Sequence, residues 1–221
     1  MREDVITRIE QEKLIAIVRG IRPDQYLAVA EALYDGGVRL MEITFNQSAP
    51  DSFRATVEAI TLIGKMMEGR MLVGTGTVLT EEQVDLTAQA GGQFIISPDV
   101  NTAVIQRSVS LGLVSMPGAM TPTEVLTAHR AGADFVKLFP ASLLGPDYIR
   151  AIRAPISHVK LLAVGGIDEN NMPAFLRSGV CGFGVGGNLA NKKWIENGDY
   201  YKLTEAARRM VQAVRVSAAM A

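Results

Sequence analysis

The chain predicts an α/β fold, a (β/α)8 TIM barrel forming a single domain over 1–221 behind a short N-terminal lead-in helix. Three features predict it. Short apolar runs alternate eight times with amphipathic stretches of about ten to fifteen residues. The runs are apolar throughout, as in parallel strands covered on both faces. Polar residues and glycines recur at their C-terminal ends, where the loops of a barrel build sites. Eight units in 221 residues fit the short end of the barrel range, and an open doubly wound sheet is the competing arrangement.

The elements follow in order. Val5 to Glu12 has the spacing of a short amphipathic helix. Leu14 to Val18 is the first strand, and Pro23-Asp24 opens a helix that stops at Gly36-Gly37. The second strand, Val38 to Thr44, precedes a helix over 51–63. Met71 to Gly74 is the third, and Thr80-Glu81-Glu82-Gln83 has the capping-box form of a helix start. Phe94 to Ile96 is the fourth, followed by Ser97-Pro98 and a helix over 102–111. Leu113 to Met116 is the fifth, and Thr121-Pro122-Thr123-Glu124 caps its helix. Phe135 to Phe139 is the sixth, with Pro146 starting the next helix. Val159 to Val164 is the seventh, closed by Gly165-Gly166 and followed by a helix over 169–178. Val180 to Val185 is the eighth, and 200–218 the closing helix. No linker-like or low-complexity segment interrupts the series.

The totals exclude several functions. A net charge of -1 concentrates nothing basic enough to track phosphates, so nucleic acid is not expected as a partner. No apolar run reaches the roughly 18 residues of a membrane span. The start, Met1-Arg2-Glu3-Asp4, is charged and lacks a signal-peptide core, so a cytoplasmic protein is expected. The single cysteine, Cys181, reads as a buried structural thiol. His129 and His158, isolated in sequence, make neither a metal site nor a triad. The ten methionines read as core filler, and Trp194 as packing a loop against the barrel or meeting a second subunit.

Lys137 is the informative residue. It interrupts the apolar run Phe135 to Phe139, where burial favours the neutral amine that carbonyl chemistry needs. The bland reading is a strand-end lysine that snorkels to water. Glu42, inside Arg39-Leu40-Met41-Glu42-Ile43-Thr44-Phe45, needs a partner or a task. The second and sixth strands are both even-numbered and lie opposite in an eight-stranded barrel, so their inward side chains can share a layer. Together they offer an amine nucleophile and a proton shuttle; a buried structural ion pair is the alternative. Arg19, Thr44, Asn46, Thr75, Thr77, Ser97, Pro98 and Pro117 also fall at strand ends. Ala163-Val164-Gly165-Gly166-Ile167 and Gly184-Val185-Gly186-Gly187-Asn188-Leu189 close the last two strands, where barrels build a phosphate cradle from backbone N–H groups and a short helix N-terminus. Tight turns with nothing bound are the alternative. The G-x-G-x-x-G letters at Gly182 to Gly187 lack the βαβ continuation that a dinucleotide needs.

These residues, in this order, resemble the 2-keto-3-deoxy-6-phosphogluconate (KDPG), 4-hydroxy-2-oxoglutarate (KHG) and 2-dehydro-3-deoxy-6-phosphogalactonate aldolase family. The likeness runs from about Leu14 to Leu189. It rests on Gly37 to Thr44, Val73-Gly74-Thr75-Gly76-Thr77-Val78, Ile96-Ser97-Pro98, Pro117-Gly118, Val136 to Pro140 and Val164 to Ile167. The resemblance implies a class I lyase that needs no cofactor and no metal. Its substrate would be a keto-acid sugar phosphate cleaved to pyruvate and glyceraldehyde 3-phosphate, and its assembly a homotrimer. Lys137 would form the imine and Glu42 move protons through water. Thr77 would hold the pyruvate carboxylate, and Pro98 and Phe139 would line its apolar side. Gly165, Gly166, Gly186 and Gly187, with Asn188, would take the phosphate.

Two positions depart from the gluconate pattern. Asn46 stands where an arginine often binds the substrate carboxylate, and Arg19 is expected to supply that charge, as in the galactonate branch. Val164 stands where threonine commonly donates to a substrate hydroxyl. Thr44 and Phe45, in contrast, look like the gluconate branch, so the preferred epimer stays open. Cleavage of 4-hydroxy-2-oxoglutarate to pyruvate and glyoxylate is the alternative within the same chemistry. A non-catalytic phosphate-binding barrel is the alternative outside it.

Overall fold

Strands that are apolar on both faces have to bury both, and this chain does so by closing its sheet. The computed structural model describes residues 2–218. The strands are β1 (Leu14–Val18), β2 (Leu40–Thr44), β3 (Leu72–Gly76), β4 (Phe94–Ile96), β5 (Val114–Met116), β6 (Gly118–Ala119), β7 (Val136–Leu138), β8 (Leu161–Val164) and β9 (Gly182–Val185). The helices are α1 (Arg2–Glu12), α2 (Tyr26–Asp35), α3 (Phe53–Met66), α4 (Glu81–Gln89), α5 (Thr102–Ser110), α6 (Pro122–Arg130), α7 (Ala141–Arg153), α8 (Met172–Arg177), α9 (Lys192–Glu196) and α10 (Tyr200–Ala218). All strand pairs are parallel, in the order β5-β4-β3-β2-β1-β9-β8-β7-β6.

The two ends of that order are neighbours in sequence, separated only by Pro117. Proline has no N–H to give to a ladder. It splits the fifth stave, so that β5 pairs with β4 while β6 pairs with β7. The ring closes across the break: the Lys137 N–H donates to the Pro117 carbonyl at 2.8 Å and the Phe135 N–H to that of Ser115 at 3.3 Å. The nine strands are therefore the eight staves of a (β/α)8 barrel, and the sixth stave of the sequence reading is β7.

Alternation along each strand sorts side chains into two layers. Ile15, Leu40, Leu72, Phe94, Val114, Phe135 and Leu162 fill the interior, and Ala16, Met41, Ile43, Val73, Val136, Leu161 and Phe183 pack under the helices. Gly74 makes room for this filling, because a Cβ there would overlap the Phe94 ring. The lead-in helix α1 inserts Val5, Ile6 and Ile9 into the same interior cluster and so plugs the N-terminal end of the barrel. Arg2 ties it down by an ion pair to Asp134 at 2.8 Å. The opposite end is left for loops.

Some boundaries differ from expectation. β3 runs on to Gly76, past the expected Gly74. The helix expected to start at Pro146 starts at Ala141 and kinks at Gly145 (φ 75), after which Pro146 opens its second part. Trp194 lies on the short helix α9 instead of a loop. Gly187 leads into a turn, with the Leu189 and Ala190 N–H groups both on the Gly186 carbonyl at 2.8 Å, and not into a helix. The C-terminal segment is partly used in packing: α10 lies on α2 and α8 and buries Leu203, Ala206, Ala207, Met210 and Val214. The remainder of that segment, 219–221, is outside the described residues. Among the described residues no helix is long and apolar enough to cross a membrane.

The plug has a measurable share in stability. Ile9 is 1% exposed, so Ile9→Ala is expected to lose about 2 to 5 kcal/mol in urea unfolding. A loss below about 0.5 kcal/mol would show that α1 lies against the barrel without sealing it.

Candidate active site

Every residue of β2 is buried, and its alternation turns Glu42 inward between Leu40 and Thr44, level with Ile17 on β1 and Gly74 on β3. The carboxyl folds over Gly76, where a Cβ would overlap Oε1. Glycine at that position is thus a requirement of the carboxyl's placement. Burial pushes the Glu42 carboxyl up to about 7, against the opposing pull of Lys137 and Arg19. Glu42 Oε2 and Thr44 Oγ1 are both buried with no partner in the protein. Such atoms are costly unless a bound group or water meets them, and these two stand two residues apart on one face of one strand.

Lys137 sits in the middle of β7 and is 8% exposed. It does not snorkel. Burial lowers its pKa; Glu42 and Asp99 oppose that shift and Arg19 adds to it. The Phe139 ring lies just beyond the strand, its centroid 5.1 Å from Nζ, and is itself 41% exposed at the barrel mouth. Amine and carboxyl therefore share the interior and feel each other's charge, as the layer argument required.

Arg19 follows β1 and donates from Nη2 to Thr77 Oγ1 at 3.2 Å. Thr77 has φ 57, in the left-handed region that β-branched residues rarely occupy. Arg19 also edges a groove of about 330 Å³, together with Phe139, Val164 and the two glycine loops. Those loops are tied to one another and to their surroundings. The Ser142 N–H donates to the Gly165 carbonyl at 3.0 Å, Asn171 Nδ2 to that of Gly166 at 2.8 Å and Asn188 Nδ2 to that of Ile167 at 2.9 Å. Gly165 (φ 96) and Gly166 (φ 71) hold conformations that suit glycine, and open space stands where Cβ atoms of Gly186 and Gly187 would be.

The other expected residues divide. Val164 lines the groove and Pro98 stands exposed after β4. Asn46 is exposed, and its Oδ1 is taken by the Ser48 N–H at 3.1 Å. Thr75 does not join: it faces the helices and shares a 2.7 Å hydrogen bond with Thr87. The two histidines are not isolated, since their rings meet edge to face at 5.0 Å, away from the mouth residues. The Cys181 thiol donates to the Leu161 carbonyl at 3.1 Å, and burial pushes its pKa up to about 11. Among the described residues no group of three or more His, Cys, Asp or Glu side chains could hold a metal ion.

Two residues beside the site escaped sequence reading. In sequence Gln83 shows itself only as the last residue of a capping-box pattern. Its N–H does bond to Thr80 Oγ1 at 3.3 Å, but its side chain accepts from the Leu79 N–H at 2.7 Å and donates to Gln47 Oε1 at 3.0 Å. Gln47 in turn donates to the Thr77 carbonyl at 2.5 Å. Nothing in the local sequence pairs residues 36 apart.

Comparison with known proteins finds similar sequences and a similar fold. The sequence profile described as KDPG and KHG aldolase matches residues 5–206. A probable 2-dehydro-3-deoxy-6-phosphogalactonate aldolase of Rhizobium meliloti (strain 1021) is 43% identical over 180 residues, 81% of this chain and 82% of the relative. The 2-dehydro-3-deoxy-6-phosphogalactonate aldolase of Escherichia coli (strain K12) is 40% identical over 80% of this chain and 83% of its own. A solved structure described as native KDPGal superposes with a TM-score of 0.83 at 36% identity, covering 93% of this chain and 96% of that one.

The elevated Glu42 pKa fixes a pH dependence of stability. Between about 4.5 and about 7 the folded protein holds a proton on Glu42 that the unfolded chain has released, so stability falls as pH rises through that window. Glu42→Gln is expected to remove a decline of about 3 kcal/mol between pH 4.5 and pH 7.5. Urea unfolding of both proteins at the two pH values checks it; parallel declines would place the proton elsewhere.

Proposed function

Because the chain belongs to the KDPG and KHG aldolase family, and is thus an aldolase and a lyase, we propose that it cleaves 2-keto-3-deoxy-6-phosphogalactonate through an imine on Lys137. The observation that carries this reading is an amine 8% exposed in mid-strand, its pKa lowered by burial, within the field of a buried carboxyl. The neutral amine adds to the C2 carbonyl of the keto acid, and the carbinolamine loses water to give the iminium. Removal of the C4 hydroxyl proton breaks the C3–C4 bond, and the electron pair moves onto the iminium nitrogen. Glyceraldehyde 3-phosphate leaves; the enamine takes a proton at C3 and is hydrolysed to pyruvate and free Lys137. Glu42, with a pKa of about 7, is populated as both acid and base near neutrality, as successive proton transfers require.

Thr77 and Arg19 hold the carboxylate in this reading, taking the role that Asn46 cannot fill. Pro98, Phe139 and Val164 give the pyruvyl group an apolar wall. Backbone at Gly165, Gly166, Gly186 and Gly187, with Asn188 fixing one loop to the other, receives the phosphate. The galactonate epimer is favoured by the names of the relatives at 43% and 40% identity. The gluconate epimer is the second reading, favoured by Thr44 and Phe45, which resemble the gluconate branch. The homotrimer and the cytoplasm belong to the same proposal; phosphorylated substrate and product do not cross membranes unaided.

Borohydride reduction in the presence of pyruvate tests the mechanism. A reduced pyruvyl adduct on Lys137, found by peptide mass spectrometry and lost in Lys137→Ala, is expected; its absence from every lysine sinks the imine. Arg19→Ala is expected to raise KM for the keto acid roughly tenfold or more. Unchanged turnover in that variant at low substrate would remove Arg19 from the carboxylate.

A further inference from the structure

Thr77 is held in an unfavourable backbone conformation by something other than its own preference. At φ 57 it needs surroundings that over-determine it. The residues on either side are fixed by the barrel: the Gly76 carbonyl accepts from the Phe45 N–H at 2.9 Å, and the Val78 N–H donates to the Ile96 carbonyl at 3.2 Å. The Thr77 carbonyl is fixed by an amide chain instead. Gln47 Nε2 donates to it at 2.5 Å, Gln83 Nε2 donates to Gln47 Oε1 at 3.0 Å, and Gln83 Oε1 accepts from the Leu79 N–H at 2.7 Å. Gln83 is 2% exposed and sits in the first turn of α4, whose cap, Thr80, holds its backbone N–H at 3.3 Å.

The polarity of the chain is set by its ends. The Thr77 carbonyl can only accept and the Leu79 N–H can only donate, so each amide is oriented one way, and reversing either would face oxygen to oxygen or N–H to N–H. The loop after β2 and the start of α4 thus grip the β3 loop together. Thr77 Oγ1 receives the Arg19 guanidinium at 3.2 Å, so whatever fixes Thr77 also fixes the position of that cation.

We propose that Gln47 is a positioning residue, which, backed by Gln83, holds Thr77 and through it Arg19 in the geometry that receives the keto-acid carboxylate. The inference rests on the reading of Thr77 and Arg19 as that carboxylate site. It assigns Gln47 an effect on binding the carboxylate end and none on the phosphate end.

Pyruvate alone, trapped on wild-type protein with borohydride, is the reference. Gln47→Met keeps the length and removes the amide; Gln47→Asn keeps an amide too short to span both partners. Both are expected to raise the pyruvate concentration for half-maximal trapping roughly tenfold. The KM for glyceraldehyde 3-phosphate in the condensation direction should move less than about twofold in either. In a Thr77→Ala background Gln47→Met should add less than about a twofold effect, since the two act as one unit. Unchanged pyruvate dependence in both variants overturns the proposal, and so does a tenfold effect that persists undiminished in the Thr77→Ala background. A wild-type protein that traps no pyruvate removes the underlying reading, an outcome distinct from either of these.

Discussion

The rest of the structure depends on the cost of keeping an amine and a carboxyl out of water. Glu42 and Lys137 are both nearly inaccessible, and in a medium of low dielectric an isolated charge is very unfavourable. Each relieves the other only in part: burial outweighs the partner's charge in both shifts, raising the acid and lowering the base. The proton affinities of the two groups are therefore drawn toward one another, the acid's upward and the base's downward. A barrel imposes this because its interior is a packed core with no channel of water down its axis.

Space for the pair comes from glycine. Side chains as large as Phe94 and Glu42 fit inside an eight-stave ring only where neighbouring staves give way, and β3 does so twice, at Gly74 and Gly76. One strand thus accommodates both the hydrophobic filling and the carboxyl. At the N-terminal end the same need for filling is met by α1, whose Val5, Ile6 and Ile9 complete the interior cluster. Hydrophobic filling closes one end of the ring, and the candidate site lies at the other.

The sequence shows much of this because the two periods are strong. Uniformly apolar strands, glycine stops and the Thr121–Glu124 capping box, which forms in full, place the staves and the helices between them. Lys137 and Glu42 stand out because a charge inside such a run is anomalous whatever the fold. What stays hidden is contact between distant loops. The Gln47 to Gln83 bond and the meeting of His129 with His158 have no local signature. The turn after Gly187 is indistinguishable in sequence from a helix start, because glycine precedes both. Thr75 lies inside β3 and not at its end, because the strand runs two residues beyond its apolar core, and alternation there turns its side chain to the helices.

Pro117 bears on more than the count of strands. The ring is fastened at this point by a three-residue and a two-residue segment, and the bond to the Pro117 carbonyl comes from the backbone of Lys137 itself. The shortest strand of the barrel and the proposed nucleophile thus meet at one place. Parting β6 from β7 would admit solvent to the amine and remove the burial that lowers its pKa. In the proposed mechanism the amine's reactivity therefore depends on ring closure, which confines its carbonyl chemistry to the folded molecule.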